Sequence, residues 1–275
     1  MDALKLYQAQ MRVPDDPEAA LAAAAEAMER AADRGADMVA LPEMFCCPYE
    51  TALFPRYAEP EGGRVWSRCA ELAAKHGLWL SAGSMPERGA DGRVYNTAYV
   101  FDRAGRMAAK HRKMHLFDID VRGGQRFLES ETLAPGNAVT VFDTEFGPIG
   151  LCVCYDFRFP ELGRLMAVRG ARLVLVPAAF NPTTGPAHWE LMFRSQAMYN
   201  QVFAAGTAPA LDRTASYHSW GHTIVADPWG DVAAQLDDAE GFLFTEIDLR
   251  QVARIREQLP LLRHRRTDVY TLTEN

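Results

Sequence analysis

Cys154 is the first residue whose setting invites chemistry. In Ile149-Gly150-Leu151-Cys152-Val153-Cys154-Tyr155-Asp156-Phe157-Arg158-Phe159-Pro160-Glu161-Leu162 an apolar strand runs into the cysteine, a polar bend follows, and a helix opens at Pro160. A thiol at such a strand-to-helix turn faces a cleft beside unpaired helix amides, and both effects favour the thiolate. The backbone N–H of Tyr155 would then stand ready for an oxyanion. The competing reading is a small buried core residue, the usual setting of a free cysteine; Cys152, ahead of the bend, reads that way. Glu43, in Leu41-Pro42-Glu43-Met44-Phe45, lies just past a buried strand within apolar sequence. Desolvation should raise its pKa, which suits a general base, unless it is a loop carboxylate paired with a nearby cation. Lys113 stands in the basic stretch Lys110-His111-Arg112-Lys113-Met114-His115, at the entry to a long loop. Such a stretch is ordinarily a solvated face, but a lysine inside a closed site would stabilise a negative transition state.

The elements that must hold these residues alternate between short apolar strands and amphipathic helices. Residues 3–11 read as a strand. Asp16 can cap a helix that begins at Pro17 and stops at Gly35. Residues 37–41 form a short buried strand ending at Pro42, directly before Glu43. A helix fits 64–76, a strand fits 78–84, and 94–102 with 106–111 make a hairpin turning at Arg103-Ala104-Gly105. Residues 112–137 are a long irregular stretch, and loops of that length usually serve function. Strands follow at 139–143 and 149–153, then a helix over 160–169 and a strand over 172–176. A helix over 188–200, strands at 202–206, 222–227, 232–235 and 241–247, and a helix over 249–258 complete the chain. Residues 32–42 and 167–177 echo each other: each runs from a helix end through Gly-Ala into a strand closed by proline. Two similar α-β halves imply two sheets face to face with helices outside. The expected α/β fold is thus a four-layer α-β-β-α sandwich, one domain over 1–275.

Composition narrows the function classes. A net charge of −7 and a pI of about 5.5 disfavour nucleic acid and anionic membrane as partners. The basic run Arg263-His264-Arg265-Arg266 reads as a solvated or interface segment. No apolar run reaches the roughly 18 residues of a transmembrane helix, and Met1-Asp2-Ala3-Leu4-Lys5 lacks the pattern of a signal peptide. Five cysteines, an odd number in no disulfide-type spacing, point to reduced thiols and a cytoplasmic setting. No C-x-x-C pair occurs and no zinc pattern is read, so no metal is expected. Gly123-Gly124 lacks a phosphate-loop context, and no cofactor is expected either.

The three reactive candidates form a pattern. A Glu after a strand, a Lys in Arg-Lys-x-His-Leu-Phe, and a Cys in Gly-x-x-x-Cys-Tyr-Asp-x-Arg-Phe-Pro-Glu-Leu resemble the nitrilase, or carbon–nitrogen hydrolase, superfamily. Order and spacing agree across essentially the whole chain. Segments 115–121, 127–130, 179–191, 215–217 and 227–230 are most similar to its ω-amidase branch. Arg122-Gly123-Gly124-Gln125 departs from the Pro-Gly-Lys type of turn that this branch tends to have. The resemblance implies hydrolysis of a non-peptide C–N bond through a thioester. Glu43 would be the base, Cys154 the nucleophile, and Lys113 with the Tyr155 N–H the oxyanion donors. Glu129 matches the family's second glutamate and would position Lys113 or the substrate amide, with a purely structural carboxylate as the alternative.

Within that branch the substrates implied are the ω-amides 2-oxoglutaramate and 2-oxosuccinamate. Each carries a carboxylate at its far end, which calls for a cation. Arg158, four residues past the nucleophile, is the best-placed guanidinium; the alternative is a brace to Asp156 or Glu161. Phe180, Thr184 and Tyr49 are expected to supply pocket wall and hydroxyl donors. His115 reads as a structural hydrogen-bonder, and His188, Trp189, Trp220 and His222 as packing or rim residues. The resemblance also implies a homodimer through the outer helices, joined by the segment after Leu249. Two other readings stay open. One is another amidase, carbamoylase or nitrilase of the superfamily, including an amidase for deaminated glutathione. The other is a non-catalytic binding protein on this scaffold, which would not need Glu43, Lys113 and Cys154 together.

Overall fold

The computed structural model describes residues 2–123 and 126–274. Its first half contains β1 (Ala3–Gln10), α1 (Pro17–Asp33), β2 (Met38–Ala40), α2 (Phe54–Tyr57), α3 (Arg64–His76), β3 (Trp79–Arg88), β4 (Val94–Phe101) and β5 (Met107–Arg112). A small hairpin of β6 (Asp118–Asp120) and β7 (Arg126–Leu128) follows. Then come β8 (Thr140–Thr144), β9 (Gly147–Leu151), α4 (Pro160–Val168), β10 (Leu173–Pro177), α5 (Gly185–Asn200), β11 (Phe203–Thr207), β12 (Ile224–Ala226), β13 (Val232–Gln235), β14 (Gly241–Asp248) and α6 (Arg250–Gln258).

The strands form two six-stranded sheets, ordered β14-β1-β2-β3-β4-β5 and β13-β12-β11-β10-β9-β8. In each, three parallel strands are flanked by antiparallel ones: β1-β2-β3 in the first sheet, β9-β10-β11 in the second. Side-chain alternation divides each strand between two layers. Leu4, Leu6, Met38 and Ala40 meet the second sheet in the central core, while Tyr7, Ala9, Val39 and Leu41 pack under α1 and α3. On the other side Met166 of α4 and Phe193 of α5 cover β10 and β11 within the same central core. The result is the expected α-β-β-α layering.

The echo between the two halves has a structural counterpart. Gly35 lies two residues beyond α1 and Gly170 two residues beyond α4, both at positive φ (+66° and +97°), and the strands that follow, β2 and β10, are each the middle of three parallel strands in their sheets. Asp16 caps α1 by accepting from the Glu18 N–H at 3.1 Å. The irregular stretch 112–137 proves partly ordered: β6 and β7 pair, and Glu129–Glu131 forms a 3-10 turn. Short polar strands give too little periodicity to be seen in advance, and α2, only four residues long, escapes for the same reason. Gly124 and Gln125, part of the segment that departs from the branch's sequence pattern, lie outside the described residues. Among the described residues no helix is long and apolar enough to cross a membrane.

A bulge in β3 between Ser81 and Ser84 shapes the loop that carries Glu43. Ser84 accepts the Met44 N–H on its hydroxyl at 3.0 Å and the Phe45 N–H on its carbonyl at 3.2 Å. Gly83, at φ +56°, lets this bulge close, and a Cβ there would overlap the Pro42 carbonyl oxygen. Gly83→Ala therefore combines a strained φ with a backbone clash. We expect it to lower stability by roughly 2–4 kcal/mol, read as a fall in the urea midpoint; an unchanged midpoint would show that the loop yields without cost.

Candidate active site

β9 leads into Val153 and a 3-10 turn over Cys154–Arg158, after which α4 begins at Pro160. Cys154 takes φ +47°, a left-handed conformation unusual for a side chain with a Cβ, and is almost wholly buried. The first hydrogen bond of the turn runs from the Asp156 N–H to the Val153 carbonyl. The Tyr155 N–H precedes that bond, as the leading donors of a helical turn do.

Three other strand ends bring a side chain or a backbone N–H to this thiol. Glu43 follows β2, Lys113 follows β5, and Ala179 follows β10. Glu43 is fully buried. Its Oε1 accepts from Lys113 Nζ at 2.9 Å and from Asn96 Nδ2 at 2.8 Å, while its Oε2 accepts the Ala179 N–H at 2.8 Å. The Cys154 thiol donates to the same carboxylate. Lys113 Nζ lies 3.0 Å from Glu129 Oε1 and 2.9 Å from its Oε2. Glu129 is oriented in turn by the Phe117 N–H, which donates to its Oε2 at 2.7 Å. The Tyr49 hydroxyl stands 2.8 Å from Glu129 Oε1 and 3.1 Å from Glu43 Oε1. It has one proton to give, and the shorter contact directs that proton to Glu129.

Two carboxylates thus share one ammonium in a site without water-exposed surface. Burial raises the Glu43 pKa, Lys113 opposes the rise, and Glu129 adds to it. Burial alone would lower Lys113, but Glu129 and Glu43 overcome it and hold the ammonium well above its usual range. Burial and the Glu43 charge push the Cys154 thiol well up, against the pull of Lys113. The resting arrangement is a thiol beside a carboxylate of raised basicity. Passing the proton from sulfur to Glu43 moves one negative charge without changing the total, so a dry site can accommodate it.

A cavity of about 450 Å3 opens onto this cluster. Glu43, Tyr49, Ala179 and Tyr217 form its inner wall, and Asp15 and Asp212 stand among its other lining residues. Tyr217 donates to the Ala179 carbonyl at 2.5 Å, and its ring lies 4.6 Å from that of Tyr49. The combination of a buried base, a thiol on a strained turn and a fixed cation suits nucleophilic attack on a carbonyl carbon.

The family profile described as "Carbon-nitrogen hydrolase" matches residues 5–257. The chain belongs to the carbon–nitrogen hydrolase family. A Mus musculus protein named "Omega-amidase NIT2" is 45% identical over 272 residues, 99% of this chain and 98% of its own length. "Omega-amidase NIT2-A" of Xenopus laevis is 48% identical over 251 residues, 91% of each chain. Among solved structures, Saccharomyces cerevisiae Nit3, a member of branch 10 of the nitrilase superfamily, superposes with a TM-score of 0.88. It is 37% identical, over 96% of this chain and 97% of that one. The Caenorhabditis elegans NitFhit protein gives a TM-score of 0.92 at 36% identity, covering all of this chain and 68% of that one.

The site sits at strand ends and gathers Glu43, Lys113, Glu129, Cys154 and Tyr49 into one cluster. Tyr49 stands on the cavity wall as expected, but its hydroxyl is turned to the two carboxylates. The Phe180 ring carries the Arg158 guanidinium at 4.4 Å and meets Trp189 edge-on at 5.0 Å. The Tyr155 ring packs against Phe117 at 5.2 Å and Phe159 at 5.4 Å, with Arg158 at 5.8 Å. Thr184, like Tyr155, Arg158 and Phe180, is not among the residues lining this cavity, and its hydroxyl donates to Asn181 Oδ1 at 3.3 Å in the turn that opens α5. Arg158 pairs with neither Asp156 nor Glu161; it donates to His188 Nδ1 at 3.0 Å.

Sequence reasoning passes over Asn96 and Tyr217. An asparagine inside the otherwise apolar or aromatic Val94-Tyr95-Asn96-Thr97-Ala98-Tyr99 was the available signal for the first. It also passes over the H-x-x-x-H spacing of His111 and His115, which both donate to Asp156. Among the described residues no group of three or more His, Cys, Asp or Glu is arranged to hold a metal.

Asn96→Leu removes a donor that favours the charged form of Glu43. The Glu43 pKa should rise further, since the neutral acid loses less than the carboxylate. The acid limb of the Cys154 alkylation rate by iodoacetamide should then move to higher pH. An unmoved limb would show that Asn96 does not set the basicity of Glu43.

Proposed function

We propose that this protein is an ω-amidase that cleaves the terminal amide of short 2-oxo acid monoamides, 2-oxoglutaramate and 2-oxosuccinamate. The observation that carries this substrate choice is Arg158. Arg158 is half-buried, its guanidinium stacks on Phe180, and it has no carboxylate within ion-pair distance among the described residues. Among the described residues its Nε has no hydrogen-bond partner. Burial pulls its pKa down, the sign of a cation without full compensation, and Cys154 lies close enough to oppose the shift. A carboxylate a few atoms from a scissile amide would complete this environment. The relatives named ω-amidases, 45–48% identical over most of the chain, support the same reading.

The reaction follows from the cluster. Glu43 takes the Cys154 proton as sulfur attacks the amide carbon. The oxyanion is held by the Lys113 ammonium and the Tyr155 N–H. Glu43 returns the proton to nitrogen, ammonia leaves, and a thioester remains. Glu43 then takes a proton from water, whose oxygen attacks the thioester; collapse frees the 2-oxo dicarboxylate, and the proton returns to sulfur. Glu129 and Tyr49 hold Lys113 and Glu43 at fixed distance throughout, so little reorganisation is needed.

The same reading includes a homodimer and a reducing, cytoplasmic setting. Val168, Leu191 and Tyr199 stand exposed on α4 and α5, and Val269 and Tyr270 are exposed near the C-terminus. All five cysteines are free and buried. Light scattering after size exclusion should give twice the monomer mass; a monomer at micromolar concentration would reject the dimer.

Ammonia release from 2-oxoglutaramate, 2-oxosuccinamate, glutamine, a nitrile and an N-carbamoyl amino acid tests the activity. Selective turnover of the first two is expected, abolished in Cys154→Ala with its fold retained. Arg158→Ala should raise KM for the 2-oxo acid amides by about tenfold or more, the loss of a charge-assisted pair. Turnover of the nitrile or carbamoyl compound alone would reject the substrate, and ammonia release by Cys154→Ala would reject the nucleophile.

A further inference from the structure

One buried carboxylate beside the thiol takes no part in the steps above. Asp156 lies two residues after Cys154 and has no exposed surface. Its two oxygens accept five N–H groups. Oδ1 takes the Met114 N–H at 3.1 Å, the His115 N–H at 2.8 Å and His115 Nδ1 at 2.8 Å. Oδ2 takes His111 Nε2 at 3.0 Å and the Val153 N–H at 3.1 Å. Four of these donors come from residues on either side of Lys113, and the fifth comes from the residue before Cys154. Lys113 follows β5 of the first sheet and Cys154 follows β9 of the second. Asp156 therefore ties the lysine's loop to the thiol's turn across the interface between the sheets.

The two histidines are oriented for this. The Thr140 hydroxyl stands 2.9 Å from His111 Nδ1, nearer than its 3.4 Å contact with the Lys110 carbonyl, and donation over the shorter contact leaves the Nε2 proton for Asp156. His115 stacks flat on Phe159, with centroids 3.7 Å apart and planes within 11°, so its Nδ1 is held toward the carboxylate. Burial would raise the Asp156 pKa, but the His111 and His115 bonds outweigh it and keep the carboxyl far below its usual range.

We infer that Asp156, acting through His111 and His115, is the positioning residue that holds the Lys113 ammonium at the oxyanion side of Cys154. Its activity arm rests on the thioester chemistry proposed above. A second arm does not, because Lys113 lowers the Cys154 pKa and so favours the thiolate whatever the substrate. His115→Leu removes one link, and His115→Asn restores a donor at the Nδ1 position. His111→Leu and His111→Gln do the same for Nε2. For each variant we would measure kcat and KM for 2-oxoglutaramate, the rate of Cys154 alkylation by iodoacetamide, and the urea midpoint.

The leucine variants should lose about 100-fold in kcat, the effect of displacing a catalytic group by about 1 Å. KM should stay within about twofold, and alkylation should slow. The Asn and Gln variants should recover most of both rates without recovering more stability than the leucine variants. Variants that differ only in urea midpoint, with equal kcat per folded molecule, would overturn the inference, as would a loss confined to KM. If the wild-type protein releases no ammonia from 2-oxoglutaramate, the substrate reading fails by itself. Equal alkylation rates across the four variants would then overturn the positioning role.

Discussion

Everything at the centre of this protein depends on one ammonium held between two carboxylates. Lys113, Glu43 and Glu129 are all without exposed surface. Charges placed so deep are costly unless each is paired and hydrogen-bonded. Here the pairing is close to complete. Glu43 also takes Asn96 and the Ala179 N–H, and Glu129 takes the Phe117 N–H and Tyr49. One negative charge is left over in the cluster, and the neighbouring thiol can take it up by proton transfer. That surplus makes the cluster reactive as well as stable.

The sheets bring these groups together. Each half sends a parallel strand to the middle of its sheet, and a proline, Pro42 beyond β2 and Pro177 at the end of β10, stands one or two residues before a site residue. β2 delivers Glu43, and β10 delivers Ala179, whose N–H meets Glu43 across the sandwich. The strained backbone is found at the same place: Met44 and Cys154 both have positive φ, at +50° and +47°. Strain of this kind persists only where surrounding structure over-determines it, and Ser84, the β3 bulge and the Asp156 bonds supply that restraint on the two sides.

Arg158 behaves in the opposite way. Where Lys113 has more acceptors than protons, Arg158 has donors without acceptors. The first cation is compensated in the free protein; under the proposed function the second would find its partner in the carboxylate of the substrate.

Much of this was legible in the sequence because it is written in short-range patterns. The Pro17 start and Gly35 stop of α1, the Arg64–His76 helix, and the strand-to-helix bend at Cys154 each depend on residues a few places apart. The layered α/β sandwich followed from the repeated helix–Gly–strand–Pro unit. The reactive trio was recognisable because each member carries its own flanking motif. The tertiary structure alone decided the partners. Nothing local in Val94–Phe101 says that Asn96 faces Glu43, 53 residues away. Nothing near Tyr49 says that its hydroxyl meets Glu129 instead of a substrate, and nothing near Arg158 says that Asp156 is already occupied by His111 and His115. Thr184 was drawn into the Asn181 turn for the same reason. Which polar group meets which is set by sheet order and register, and these join residues far apart in the chain. Local propensity determines that a strand ends at Glu43; only the packing of two sheets determines what waits for it there.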